Sequence, residues 1–146
     1  MTKPIIIVLE DMIERINWLR KEFGDQTEII WAKSVDQFFE ELRLCDRQRL
    51  RLILLDHDLG GVAIDDDLTS QYTEHWPLDL DGKNGGDAVD GLDGWNDIPV
   101  IVWSINNISA PLMVDELKDK GFAAGWIPFL TTHRSMLRSM ITQLVA

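Results

Sequence analysis

Hydrophobic and polar positions along the chain fall into two alternating patterns. Pro4-Ile-Ile-Ile-Val-Leu9 is a short, β-branched apolar run with no polar face, the mark of a strand buried on both sides. Behind it Asp11 is placed to cap a helix. Met12, Ile16, Leu19 and Phe23 then recur at helical spacing as one apolar stripe, which Gly24 closes. The alternation repeats. Thr27 to Ala32 predicts a second strand, and Ser34-Val-Asp-Gln37 is a capping-box pattern opening a helix with Phe38, Leu42 and Cys45 on its inner side. Leu50 to Leu55 predicts a third strand and Ile98 to Trp103 a fourth. Ser109-Ala-Pro111 opens another helix, because proline is tolerated in a first turn. Phe122 to Ile127 gives a fifth, shorter strand. A last helix runs from about Thr132, with Leu137, Met140, Ile141, Leu144 and Val145 as its stripe.

Strands alternating with helices predict an α/β fold: a doubly wound, five-stranded parallel sheet with right-handed crossovers and strand order 2-1-3-4-5. One connection breaks the rhythm. About forty residues separate strands three and four, where most loops take about four to six. A short helix over Asn84 to Leu92, glycine-rich at its start, absorbs part of that length and leaves Gly60 to Lys83 as an inserted loop. With no internal repeat and no linker, residues 1–146 read as one domain.

Composition changes this picture in one place. A chain of 146 residues that is 45% hydrophobic and 27% charged is an ordinary globular domain. Its net charge of −11 is concentrated, however. Asp56 to Asp97 holds twelve acidic residues and one basic residue, Lys83, while the rest of the chain has thirteen of each. Seven of the ten glycines share that acidic segment. A strongly acidic face repels phosphate backbones, which argues against long nucleic acid as a partner. No apolar run approaches the ~20 residues that cross a bilayer and no secretory h-region follows Met1, so the expectation is a cytoplasmic protein with no membrane partner. Cys45 has no second cysteine to pair with and reads as a small apolar residue of a helix.

The chemistry is expected at one rim. In an open parallel sheet, ligands bind beyond the carboxyl ends of the strands. Strand one ends in Glu10-Asp11, strand three in Asp56-His57-Asp58 and strand four in Ser104-Ile105-Asn106. Strands one and three are predicted neighbours, so up to four carboxylates converge. Two such charges ~4 Å apart repel by about 4 kcal/mol at an effective dielectric near 20, so the group calls for a cation. Glu10, Asp11, Asp56 and Asp58 are the candidate ligands. An all-oxygen set favours Mg²⁺, with Mn²⁺ or Ca²⁺ as alternatives.

These residues carry a resemblance. Ile7-Val-Leu-Glu10-Asp11, Leu52-Ile-Leu-Leu-Asp56 and Val100-Ile-Val-Trp-Ser104 resemble a two-component response-regulator receiver domain over nearly the whole chain. The resemblance implies a flavodoxin-like, receiver-like fold in which Glu10 and Asp11 help hold Mg²⁺, Asp56 accepts a phosphoryl group and Ser104 is a switch hydroxyl. That family ends strand five in Lys-Pro. Here Trp126-Ile127-Pro128-Phe129 keeps the proline and places Ile127 where the lysine stands.

A narrower resemblance rests on Asp56-His57-Asp58-Leu59-Gly60, the Gly85-Gly86-Asp87 helix start and Ser104-Ile-Asn106. These are similar to the divergent receivers called cyclic-phosphate processing receiver domains, which carry D-H-D-L-G after strand three and H-S-x-N after strand four; Trp103 replaces that histidine. This likeness implies a metal-assisted act on a cyclic or terminal phosphate. Asp56 would then attack directly, or orient water together with Asp58. His57, which titrates near neutrality, would pass a proton to a leaving ribose oxygen, while Ser104 and Asn106 donate hydrogen bonds to the phosphate. The alternating period leaves the direction of His57 open.

Two functional classes follow. One is a small metal-dependent phosphoesterase whose partner is a phosphorylated ligand or an RNA end. The other is a signalling receiver, phosphorylated on Asp56 or acting as a pseudo-receiver, whose partners are signalling proteins or a second copy of itself. Other features weigh less. Asp79 to Asp87 departs from the EF-hand spacing at Lys83, and Arg43, Arg47, Arg49 and Arg51 lie at the end of the sheet away from the acidic rim. Tyr72, His75 and Trp76 of the inserted loop could stack on a base only if that loop closed over the rim.

Overall fold

The computed structural model describes residues 3–56, 84–128 and 133–146. The elements follow the expected order. They are β1 (Ile5–Leu9), α1 (Ile13–Phe23), β2 (Glu28–Ala32), α2 (Val35–Leu44), β3 (Leu50–Leu55), α3 (Gly85–Asp90), β4 (Val100–Trp103), α4 (Ser109–Asp119), β5 (Ala124–Ile127) and α5 (Arg134–Val145). All strand pairs are parallel, and the sheet order is β2-β1-β3-β4-β5. The doubly wound topology read from the sequence is the one observed. The insertion expected at residues 60–83 lies outside the described residues.

The central strands β1, β3 and β4 are buried on both faces because the sheet is sandwiched between two helical layers, while the edge strands β2 and β5 are mostly half-buried. On one face Ile7, Leu9, Ile53, Leu55, Val100 and Val102 pack against α2, α3 and α4 through Phe38, Leu42, Val89, Met113 and Leu117. On the other, Ile6, Val8, Leu52, Leu54, Ile101 and Trp103 pack against α1 and α5 through Ile16, Leu19, Leu137 and Ile141. This two-sided burial is why the strands read as continuous apolar runs and not as alternating ones. An irregularity at the start of β3 adjusts the alternation. Ile5 pairs with Leu50 but Ile6 with Leu52, so exposed Arg51 is the extra residue, and Leu50 and Leu52 reach opposite cores.

Local chemistry corrects one detail that bears on the site. Asp11 was the expected cap of α1, but the N-cap is Met12 and no side-chain cap bond is made there. Glu10 serves this chain end instead. Its Oε1 accepts the backbone N–H groups of Asp11 and Met12 at 3.0 and 3.2 Å. Strand and helix ends otherwise shift by one or two residues, as frayed ends do.

Candidate metal and phosphoryl site

The register of the central strands builds the site. Leu9 of β1 pairs with Leu55, and Leu55 pairs with Val102. One residue further on, Glu10, Asp56 and Trp103 form a row across three strand ends. Backbone bonds carry the ladder into this row: Glu10 N–H donates to Ala32 O and Asp56 N–H to Leu9 O, both at 3.0 Å. Both carboxylates are buried, Glu10 at 1% and Asp56 at 4% exposure.

Glu10, Asp11 and Asp56 each place a carboxylate oxygen within 4.8 Å of the others. Three of the four ligands predicted from the sequence therefore converge. The fourth, Asp58, lies outside the described residues, as does His57. Three hard oxygen donors at this spacing fit a cation such as Mg²⁺. Burial, and after it the charge of Asp56, push the Glu10 carboxyl well above its ordinary range, with Arg15 pulling the other way.

The sequence reading missed Arg15. It projects from α1 into the row with only 3% of its side chain exposed. Its Nη1 lies 2.9 Å from Glu10 Oε2 and 3.2 Å from Asp56 Oδ2, and donates to the Trp103 carbonyl at 3.3 Å. The guanidinium also sits over the Trp103 ring, 5.6 Å from its centroid. A signal was present. Arg15 falls three residues after Met12 and four before Leu19, so it lies on the apolar stripe of α1, where a charged residue needs a partner.

The rim beyond β4 is built by Ser104 and Asn106. Ser104 is fully buried and its Oγ accepts the Asn106 N–H at 3.1 Å. Asn106 Oδ1 accepts the N–H groups of Ile108 and Ser109 at 3.2 and 2.8 Å, so it ties down the start of α4. Two indoles brace the same rim. Trp31 Nε1 donates to Glu10 O and Trp126 Nε1 to Ser104 O, each at 2.7 Å. At the end of β5, Ile127 pairs with Trp103 and is buried at 2%, so this strand offers the site hydrocarbon and no charge.

No family profile and no curated protein matches the sequence. Solved structures do match the fold. A CheY-like response-regulator receiver domain protein from Methanospirillum hungatei superposes with a TM-score of 0.65 at 12% identity, covering 98% of this chain and 94% of that one. The N-terminal signal receiver domain of a response regulator from Bacteroides fragilis gives 0.62 at 14% identity, covering 99% of both chains. A two-component response regulator from Clostridium difficile gives 0.65 at 10%, covering 97% of this chain and 95% of that one. The chain has the receiver fold. Identities this low speak for the architecture, and the chemistry must come from the residues. Among the described residues no helix is long and apolar enough to cross a membrane.

Proposed function

We propose that this chain is a signalling receiver module that binds Mg²⁺ at Glu10, Asp11 and Asp56 and accepts a phosphoryl group on Asp56. The observation that supports it is the convergence of those three carboxylates at the carboxyl ends of adjacent central strands, in a fold shared with response-regulator receivers. A bound Mg²⁺ would offset the charge of the carboxylates and polarise a phosphate oxygen. The chain's own groups supply the rest. An Asp56 oxygen attacks phosphorus, the donor's leaving group departs with the bonding pair, and an acyl phosphate results. Arg15 Nη1, 3.2 Å from Asp56 Oδ2, helps to orient that carboxylate. The Ser104 hydroxyl, buried at the end of β4 and linked to the start of α4 through Asn106, is the group through which a new phosphoryl charge is communicated. A signalling protein is the partner this role calls for.

A second reading, metal-assisted processing of a cyclic or terminal phosphate, is favoured by the Asp56-His57-Asp58-Leu59-Gly60 run. The two separate in one ³¹P NMR time course with protein, Mg²⁺, acetyl phosphate and a 2′,3′-cyclic nucleotide. The receiver reading expects faster consumption of acetyl phosphate, abolished by Asp56→Ala, with the cyclic signal untouched. Loss of the cyclic signal dependent on Mg²⁺ and Asp56 would favour the phosphoesterase. No change in either signal would contradict both.

A further inference from the structure

Arg15 is the one buried cation among the described residues. Other described ion pairs, such as Arg43–Glu40, Arg47–Asp97 and Arg138–Glu22, involve exposed or half-buried side chains. A guanidinium removed from water is retained only where it is paired and hydrogen-bonded. Arg15 meets that condition through oxygens of the candidate metal ligands, since its Nη1 reaches Glu10 Oε2 and Asp56 Oδ2 together. The group is held from below as well, by the Trp103 carbonyl and the face of the Trp103 ring. Across the row, Ile127 brings no competing charge.

We propose that Arg15 is the resident counter-ion of the acidic rim, a positioning residue that balances Glu10 and Asp56 without metal and limits how tightly they take a divalent cation. A cation seated among these carboxylates shares their oxygens with the guanidinium and is repelled by it. Binding one therefore weakens the hold on the other. The rim is preassembled in the metal-free protein, and α1 is coupled to whatever binds there. This rests on the metal-binding part of the proposed function, and it assigns a role to a residue of α1 that the strand-end motifs do not contain.

Calorimetric titration of Mg²⁺ into the full chain tests it, alongside thermal melts in Mg²⁺ and in EDTA. Arg15→Gln is expected to bind Mg²⁺ about tenfold more tightly than wild type or better, a change of about 1.4 kcal/mol. In EDTA it should melt below wild type, because two buried carboxylates lose their partner, and Mg²⁺ should restore most of that loss. Arg15→Lys, which keeps the charge, should stay nearer to wild type than Arg15→Gln in both measurements. Equal or weaker Mg²⁺ binding by a folded Arg15→Gln would overturn the proposal. So would an Arg15→Gln that stays unfolded in excess Mg²⁺, since a cation could then not replace the guanidinium. Labelling of Asp56 by acetyl phosphate separates the two ideas. Labelling with equal Mg²⁺ affinities removes only the role of Arg15; tighter binding by Arg15→Gln without labelling in wild type removes only the phosphoacceptor. Absence of Mg²⁺ binding in both proteins removes both.

Discussion

Glu10 shows how much one residue can carry. It extends β1, accepts two backbone N–H groups just before α1, pairs with Arg15 and offers an oxygen to the carboxylate cluster. Its carboxyl is raised first by burial and then by Asp56. A carboxyl held above its ordinary value stabilises the fold below that value, and the contribution is lost as pH rises through the folded pKa. Metal-free wild type should therefore lose stability relative to Glu10→Gln as pH climbs from the ordinary Glu value of 4.5. Urea melts of both proteins across that window measure it, and parallel pH profiles would show that Glu10 is not shifted. Glu10, Asp11 and Asp56 were legible in the sequence because strand ends in a parallel sheet are predictable positions. The place of Arg15 on an apolar stripe was legible too, but its partners were not, because they are 5 and 41 positions away and only the folded register brings them together.

At the scale of elements, capping decides where the chain turns back on the sheet. Asn84 opens α3 with a complete capping box: its side chain accepts from Gly86 and Asp87 N–H, and Asp87 accepts from Asn84 N–H at 2.8 Å. A helix of 6 residues has little else to define its start. Asn84→Ala should cost about 1 kcal/mol in urea unfolding. Ser34→Ala, which removes one bond of 3.2 Å to Gln37 N–H, should cost no more. A negligible loss at Asn84 would mean that packing of Ala88 and Val89 alone holds α3. The Ser34 cap could be read ahead of the structure because its pattern is a local signal, although Gln37 reaches back to Lys33 N–H and not to Ser34 N–H; at Asn84 the sequence reading gave only the start of a short helix. The cap of α1 could not be read this way. Asp11 has the right residue type, but the helix starts one residue later, with Met12 at the N-cap, and Glu10 takes the N–H groups of Asp11 and Met12 that precede it.

Across the whole molecule, the five parallel strands were readable from apolar runs, most strongly where burial on both faces leaves a continuous pattern, and the five described helices from apolar stripes or from their start signals. The expected strand order, that of a doubly wound sheet of five strand–helix units, is the one observed. What the pattern could not supply was the balance of charge at the rim, where two of the three clustered carboxylates, Glu10 and Asp56, share one guanidinium. On the proposed reading, that balance gives a rim held by the guanidinium without metal and shared with a divalent cation when one binds. The most direct test is the intact mass of wild type and Asp56→Asn after incubation with acetyl phosphate, in Mg²⁺ and in EDTA. A gain of one phosphoryl group by wild type in Mg²⁺ alone, absent from Asp56→Asn, is the expected result. Equal labelling of both proteins, or none in wild type at saturating Mg²⁺, would contradict Asp56 as the phosphoacceptor.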